Sequence, residues 1–371
     1  MIYLDNAATT RRKPAPVYAA MLRYQLFGGG NAGRGINKLS IGGVRTIISA
    51  QEAAAELFGI KNESNIIFTQ NATYALNMAI LGTMNTGESI TVSAMDHNSV
   101  LRPAALYGKY SAAAADRNGY VSPREFRRTM TNKTTLAVCT HVSNVCGTKQ
   151  PVEDIARTAH NYGALFLLDA SQSAGAASVN ADEIGADMIA CPGHKGLMGP
   201  MGTGILYIKD PEKLRAVIVG GTGSESESIY QPEGMPDKFH SGTMNIPAIA
   251  GLREGIRFVL REGAENIGEH EKRLADELRE NLLNMNAEVY GRADSGITAF
   301  NIKGVESSDC AELLGSNIIV RAGYHCAPLA HKALGTDNGG CVRASFGYFN
   351  TKKDVIKMTD AVYKAIKNRK F

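Results

Sequence analysis

Between residues 64 and 208, short, mostly apolar runs alternate with amphipathic ones, and this alternation restricts the chain to few architectures. Residues 66–68, 89–94, 135–140, 164–168, 186–191 and 205–208 read as strands. Residues 73–81, 100–107 and 152–162 read as helices between them. Strands with so few polar positions are buried on both faces. Alternating with helices, they imply an α/β fold whose large, mostly parallel sheet is covered by helices on both sides. Ligands of such sheets sit at the carboxyl ends of the strands. The residues just after each strand are therefore the ones expected to carry chemistry.

Upstream, glycines at 28–30, 33 and 35 predict a loop that backbone can bring close to a ligand. Ser40 is expected to cap a helix with Val44, Ile47, Ile48, Leu57 and Phe58 on its apolar stripe. Downstream, the Gly/Ser/Glu/Pro-rich stretch 220–238 reads as a long loop, and helical sequence over 247–284 is interrupted near Gly263. Strands near 297–302, 318–321 and 342–346 and a final helix from Thr351 complete a smaller α+β region. The expected division is a large domain over 16–255 and a small C-terminal α+β domain formed by 1–15 with 256–371.

The chain of 371 residues is 44% hydrophobic and 20% charged, as in ordinary soluble globular proteins. Its net charge of +4 is scattered, which argues against nucleic acid or a membrane surface as a partner. The first residues lack the basic-then-apolar pattern of a signal peptide, and no apolar run is long enough for a bilayer, so the expected compartment is the cytoplasm. None of the six cysteines forms a C-x2-C pair, so neither a zinc site nor a disulfide framework is expected from spacing.

Taken after each strand in turn, the polar residues form a series. Ala72 and Thr73 open a helix, where free amides and the dipole suit a phosphate. His97 can stack on a flat ring or move protons. Asn144 can donate to a phenolic oxygen. Asp169 ends an apolar strand, and a buried carboxylate there needs a cation such as a protonated pyridine. Lys195, between Gly193-His194 and Gly196, is a desolvated lysine able to form a Schiff base. Singly, each has a bland explanation as a cap, a core polar residue or a loop lysine. In this order they supply every contact of a pyridoxal 5′-phosphate (PLP) site.

With Gly193-His194-Lys195, Arg321-Ala322-Gly323-Tyr324-His325-Cys326-Ala327 and Arg343 in place, the sequence resembles, nearly end to end, fold-type I PLP enzymes of the class V aminotransferase group. Within that group it is most similar to the cysteine desulfurases and selenocysteine lyases. The resemblance implies a three-layer PLP-transferase fold and L-cysteine converted to L-alanine, with sulfur leaving as a Cys326 persulfide for an acceptor protein. It implies that Lys195 holds PLP, His97 stacks on the ring, Asp169 pairs with its nitrogen, and Asn144 and Gln172 contact its oxygen. Ala72, Thr73 and His194 would bind the phosphate, joined by Thr243 from the neighbouring subunit of a homodimer. Ala7, Asn144 and Arg343 would hold the substrate, Arg343 by its carboxylate.

Four features depart from the group. Pro192 stands where a hydroxyl residue is usual, Gly33 and Asn37 stand where histidines are common, His240 replaces an acidic residue, and Cys146 replaces an aliphatic one. Selenocysteine lyase, or an aminotransferase acting on another amino acid, is the alternative enzyme. A PLP-bearing docking protein for a sulfur acceptor is the non-enzyme alternative. Dinucleotide binding is excluded, because Gly199–Gly204 precedes a strand instead of following one.

Overall fold

The computed structural model describes residues 1–32, 37–85, 87–106 and 109–367. In chain order come β1 (Ile2–Tyr3), α1 (Ala15–Arg23), α2 (Lys38–Phe58), β2 (Ile66–Thr69), α3 (Ala72–Thr83), β3 (Ser89–Ser93), α4 (Asn98–Leu106) and β4 (Tyr110–Ala113). Then follow α5 (Pro123–Thr129), β5 (Thr134–Thr140), α6 (Val152–Asn161), β6 (Leu165–Asp169), α7 (Ala181–Ile184), β7 (Met188–Pro192) and β8 (Gly204–Ile208). These strands form a seven-stranded sheet of order β2-β8-β7-β6-β5-β3-β4. Every neighbouring pair from β4 to β7 is parallel, and β8 runs antiparallel to both β7 and β2.

Side chains alternate across this sheet and both faces are buried, as the apolar runs require. Phe166, Leu168, Ile189 and Ile205 enter one core, while Leu167, Ala190 and Leu206 enter the other. Edge strand β4 and helix α5 escaped the sequence reading, because β4 is half-exposed and lacks a continuous apolar run.

Two further corrections concern local chemistry. Ser40 does not cap α2. Asn37 does, its Oδ1 accepting from the backbone N–H of Leu39 and Ser40, while Ser40 is buried within the helix. Gly33 lies outside the described residues. The stripe on α2 is also split: Ile47 and Phe58 are buried, whereas Val44 and Ile48 are exposed.

The chain continues through α8 (Ile246–Glu262) and α9 (Ala264–Asn284), which meet at Gly263, where φ is +85°. β9 (Glu288–Tyr290), β10 (Ile297–Asn301), α10 (Ser307–Leu313), β11 (Ile318–Ile319), β12 (Arg321–Gly323), α11 (Pro328–Leu334), β13 (Cys341–Ser345) and α12 (Lys352–Lys367) follow. A four-stranded antiparallel sheet has the order β12-β13-β10-β9. The stretch 318–321, read as one strand, is two. β11 pairs in parallel with β1, whereas β12 pairs with β13, so the chain must turn between its two partners.

Candidate active site

Lys195 stands three residues past β7 in a turn that needs glycine on both sides. A Cβ on Gly193 would run into the Thr203 side chain, and one on Gly196 into the Ala174 carbonyl. The N-terminal segment braces the turn. The His194 carbonyl accepts from Thr10 N–H at 3.2 Å and Lys13 Nζ at 2.6 Å, and the Lys195 carbonyl accepts from Thr10 Oγ1 at 3.0 Å. Burial pushes the Lys195 amine down to about 8; Asp169 works against that shift and Arg343 adds to it. Such an amine is neutral in a useful fraction near physiological pH.

Asp169, at the end of β6, is only 2% exposed. One carboxylate oxygen accepts from Ser171 N–H at 2.9 Å, and among the described residues no cation pairs with it. A buried carboxylate in that condition calls for a cationic partner.

Across the cleft, His97 Nδ1 accepts from the Ser99 N–H at 3.0 Å, which puts the ring proton on Nε2. Burial lowers the pKa of His97 and Asp169 opposes it. The Ser99 hydroxyl lies 2.9 Å from His97 Nδ1 and 2.8 Å from Thr73 Oγ1, linking the ring to the start of α3. There Asn71 Oδ1 caps Tyr74 N–H at 3.1 Å. The amides of Ala72 and Thr73 have no partner within the helix and lie at its positive end.

One cleft is lined by Ala72, Thr73, His97, Asn144, Asp169, Gln172, His194 and Lys195 together. Eight of the residues singled out in the sequence are thus neighbours. Ser99 and Thr140 line it too. Sequence reasoning missed them, since a serine two residues after a histidine carries no distinctive signal. Pro192 lines the cleft without offering a hydroxyl. Ala7 lines an adjoining cavity that shares Gln172 and Lys195, and its carbonyl accepts from Gln172 Nε2 at 3.0 Å. Burial lowers His194 to about 4, and its Nδ1 meets Thr9 Oγ1 at 3.0 Å.

Asn144 connects this cleft to two distant segments. Its Nδ2 donates to the His325 carbonyl at 2.8 Å, and its backbone carbonyl accepts from Arg343 Nη1 at 2.8 Å. Arg343, buried at 2% exposure on β13, also donates from Nη2 to Asp5 Oδ1 at 2.7 Å. Its Nε is buried with no partner, a donor held ready for an anion.

Cys326 is exposed, in the loop between β12 and α11. It and His325 have φ of +57° and +48°, a left-handed pair of non-glycine residues that the surroundings must hold. The hold comes from Asn144 on the His325 carbonyl and from Asn98 N–H, 2.7 Å from the Cys326 carbonyl.

Thr243 is not brought to Lys195. It is exposed and lines a separate groove with Val44, Ile47 and Ile48. Cys146 is buried in the core with Sγ 3.3 Å from Thr148 Oγ1, so it does not face the Lys195 cleft. His240 has structural work: burial lowers it to about 4, and its neutral Nε2 accepts from Phe68 N–H at 3.0 Å, covering the outer edge of β2.

Residues 2–358 match the family model described as Aminotransferase class-V. A probable cysteine desulfurase of Methanothermobacter thermautotrophicus is 36% identical over 95% of this chain and 92% of its own length. One of Halalkalibacterium halodurans is 34% identical over 100% of this chain and 93% of its own length. Among solved structures, the apo cysteine desulfurase of Thermococcus onnurineus superposes with a TM-score of 0.93 at 32% identity, covering 99% of this chain and 95% of that one.

Proposed function

This chain belongs to the class V aminotransferase family, and on that premise we propose that it is a PLP-dependent cysteine desulfurase, converting L-cysteine to L-alanine and passing the sulfur on from Cys326. The observation that carries the reading is the junction at Asn144, which ties the Lys195 cleft to both the Cys326 loop and Arg343.

The cleft suits PLP on three counts. Asp169 is a buried carboxylate without a cation, the start of α3 offers unpaired amides, and Lys195 is an amine near neutrality. When bound, PLP supplies an electron sink for bond breaking at the substrate's α-carbon. Lys195 would hold it covalently, and its freed amine would serve as the base for the α-proton. Asp169 would keep the pyridine nitrogen protonated. His97 would pack on the ring face. Ala72 and Thr73 amides, the Thr73 hydroxyl and His194 seat the phosphate. Asn144 and Gln172 each have one amide hydrogen committed to a backbone carbonyl and a second to give to the ring oxygen.

Arg343 offers Nε and the second hydrogens of its terminal nitrogens to the substrate carboxylate, beside Ala7. Cys326, as thiolate, then attacks the substrate sulfur. The new S–S bond forms as the C–S bond breaks, the electron pair stays with the β-carbon, which takes a proton, and return of a proton to the α-carbon from Lys195 completes alanine. The persulfide is handed to a sulfur-acceptor protein, for which the exposed loop is accessible.

The exposed Val44 and Ile48 of α2, beside the groove holding Thr243, support a homodimer in which Thr243 serves the partner's phosphate. Among the described residues no helix is long and apolar enough to cross a membrane.

The deciding experiment incubates the yellow holoenzyme with L-cysteine and a reductant and counts alanine and sulfide for wild type, Lys195→Ala and Cys326→Ala. Equal products, lost in both variants, uphold the proposal. A yellow protein that yields no alanine from cysteine sinks it. Turnover of selenocysteine that survives Cys326→Ala would identify a selenocysteine lyase instead.

A further inference from the structure

Directly beneath the Cys326 loop lies a cluster that the proposed reaction does not use. His325, His331 and Cys341 are all buried, and one donor atom from each lies within 4.8 Å of the other two. They come from three elements: the loop itself, α11 and β13. His325 Nδ1 and His331 Nε2 face each other at 3.4 Å, with ring planes 15° apart.

The outer nitrogens decide what the inner ones present. His325 Nε2 lies 3.4 Å from the Arg321 carbonyl, which can only accept, so the proton of His325 sits there and its Nδ1 is a lone pair. His331 Nδ1 lies 2.7 Å from Thr336 Oγ1, a hydroxyl able to accept or donate, so His331 can carry its proton outward and turn a lone pair inward too. Oxygen partners on the far nitrogens are the arrangement that orients imidazoles toward a metal.

We propose that His325, His331 and Cys341 form a binding site for a zinc-type divalent ion, which fastens the loop carrying Cys326 to α11 and β13. Two imidazoles and a thiolate are a donor set suited to zinc. Bonds of about 2.0–2.1 Å at tetrahedral angles place two nitrogens roughly 3.3–3.4 Å apart, which the pair already satisfies. The Cys341 sulfur, within 4.8 Å of a nitrogen of each ring, supplies the third donor. Cys341 gives up its thiol proton to solvent as the Zn–S bond forms, so one proton leaves per ion and affinity rises with pH. The spacing 325, 331, 341 has no paired-cysteine signature, and only the folded chain brings these donors together.

The test titrates Zn2+ into untagged holoenzyme by calorimetry and follows the melting temperature in parallel. Wild type and Cys326→Ser are expected to bind one tight equivalent and to melt higher with zinc. Cys341→Ala and His331→Gln lose that equivalent and the thermal shift. Thr336→Val keeps all three donors and binds roughly 10- to 100-fold more weakly. Absence of a tight equivalent in wild type overturns the proposal, and the two histidines are then a hydrogen-bonded pair only. Binding that survives in both Cys341→Ala and His331→Gln, or that disappears in Cys326→Ser, overturns it as well.

Discussion

The Asp5 carboxylate and the Arg343 guanidinium, 338 residues apart in the chain, meet at 2.7 Å. Arg343 is buried, so this contact neutralises a charge that would otherwise be costly, and it aims the remaining donors.

Lysine at position 343 keeps the charge but cannot reach Asp5, the Asn144 carbonyl and a carboxylate at once. Arg343→Lys should raise KM for cysteine by roughly tenfold to a hundredfold, the loss of one or two charge-assisted hydrogen bonds. The visible absorbance of the cofactor should stay as in wild type. An unchanged KM would remove Arg343 from substrate binding.

Capture of PLP by the apoprotein needs the neutral form of Lys195. Its pKa lies near 8 in place of the usual 10.5, so the rate of uptake should climb about tenfold per pH unit below 8 and level off above it. Asp169 holds that pKa up, so Asp169→Asn should move the midpoint to lower pH. Stopped-flow absorbance against pH reads both, and a midpoint that moves upward contradicts the arrangement.

Ser99 bridges His97 and Thr73. Ser99→Ala should weaken cofactor retention by about 1 kcal/mol, near fivefold in the dissociation constant. Pyridoxal without its phosphate, measured alongside PLP, separates the effects on ring and phosphate: loss of the Thr73 contact should affect PLP more.

His240→Ala strips the partner from Phe68 N–H at the edge of the large sheet. An unsatisfied buried donor costs about 1–3 kcal/mol, so the apoprotein should melt a few degrees lower. His240→Gln, which can still accept there, should recover part of the loss. Equal melting of all three would show that the contact contributes nothing.

The large sheet was legible because strands buried on both faces leave nearly continuous apolar runs, as residues 165–168 do before Asp169. Its strand ends named Asp169, His97 and Lys195 for the same reason. β4, α5 and β9 were not legible, being short and half-exposed. Asn37 in place of Ser40 shows how closely two good caps can compete within one turn. The contacts of Asn144 with His325 and Arg343, 181 and 199 residues away, could not be read from local pattern at all.

The bond between Asp5 and Arg343 also has a calendar. During synthesis at about 5–20 residues per second, residue 5 emerges tens of seconds before residue 343 can meet it. Thr10 and Lys13, by contrast, brace the turn at Lys195, which a ribosome delivers much sooner. A nascent chain that has just completed β8 therefore already has every residue proposed to hold the cofactor from within one subunit, while Thr243 and the arginine proposed to admit an amino acid are still unmade. On the proposed assignments, this order of birth places the cofactor seat ahead of the substrate pocket.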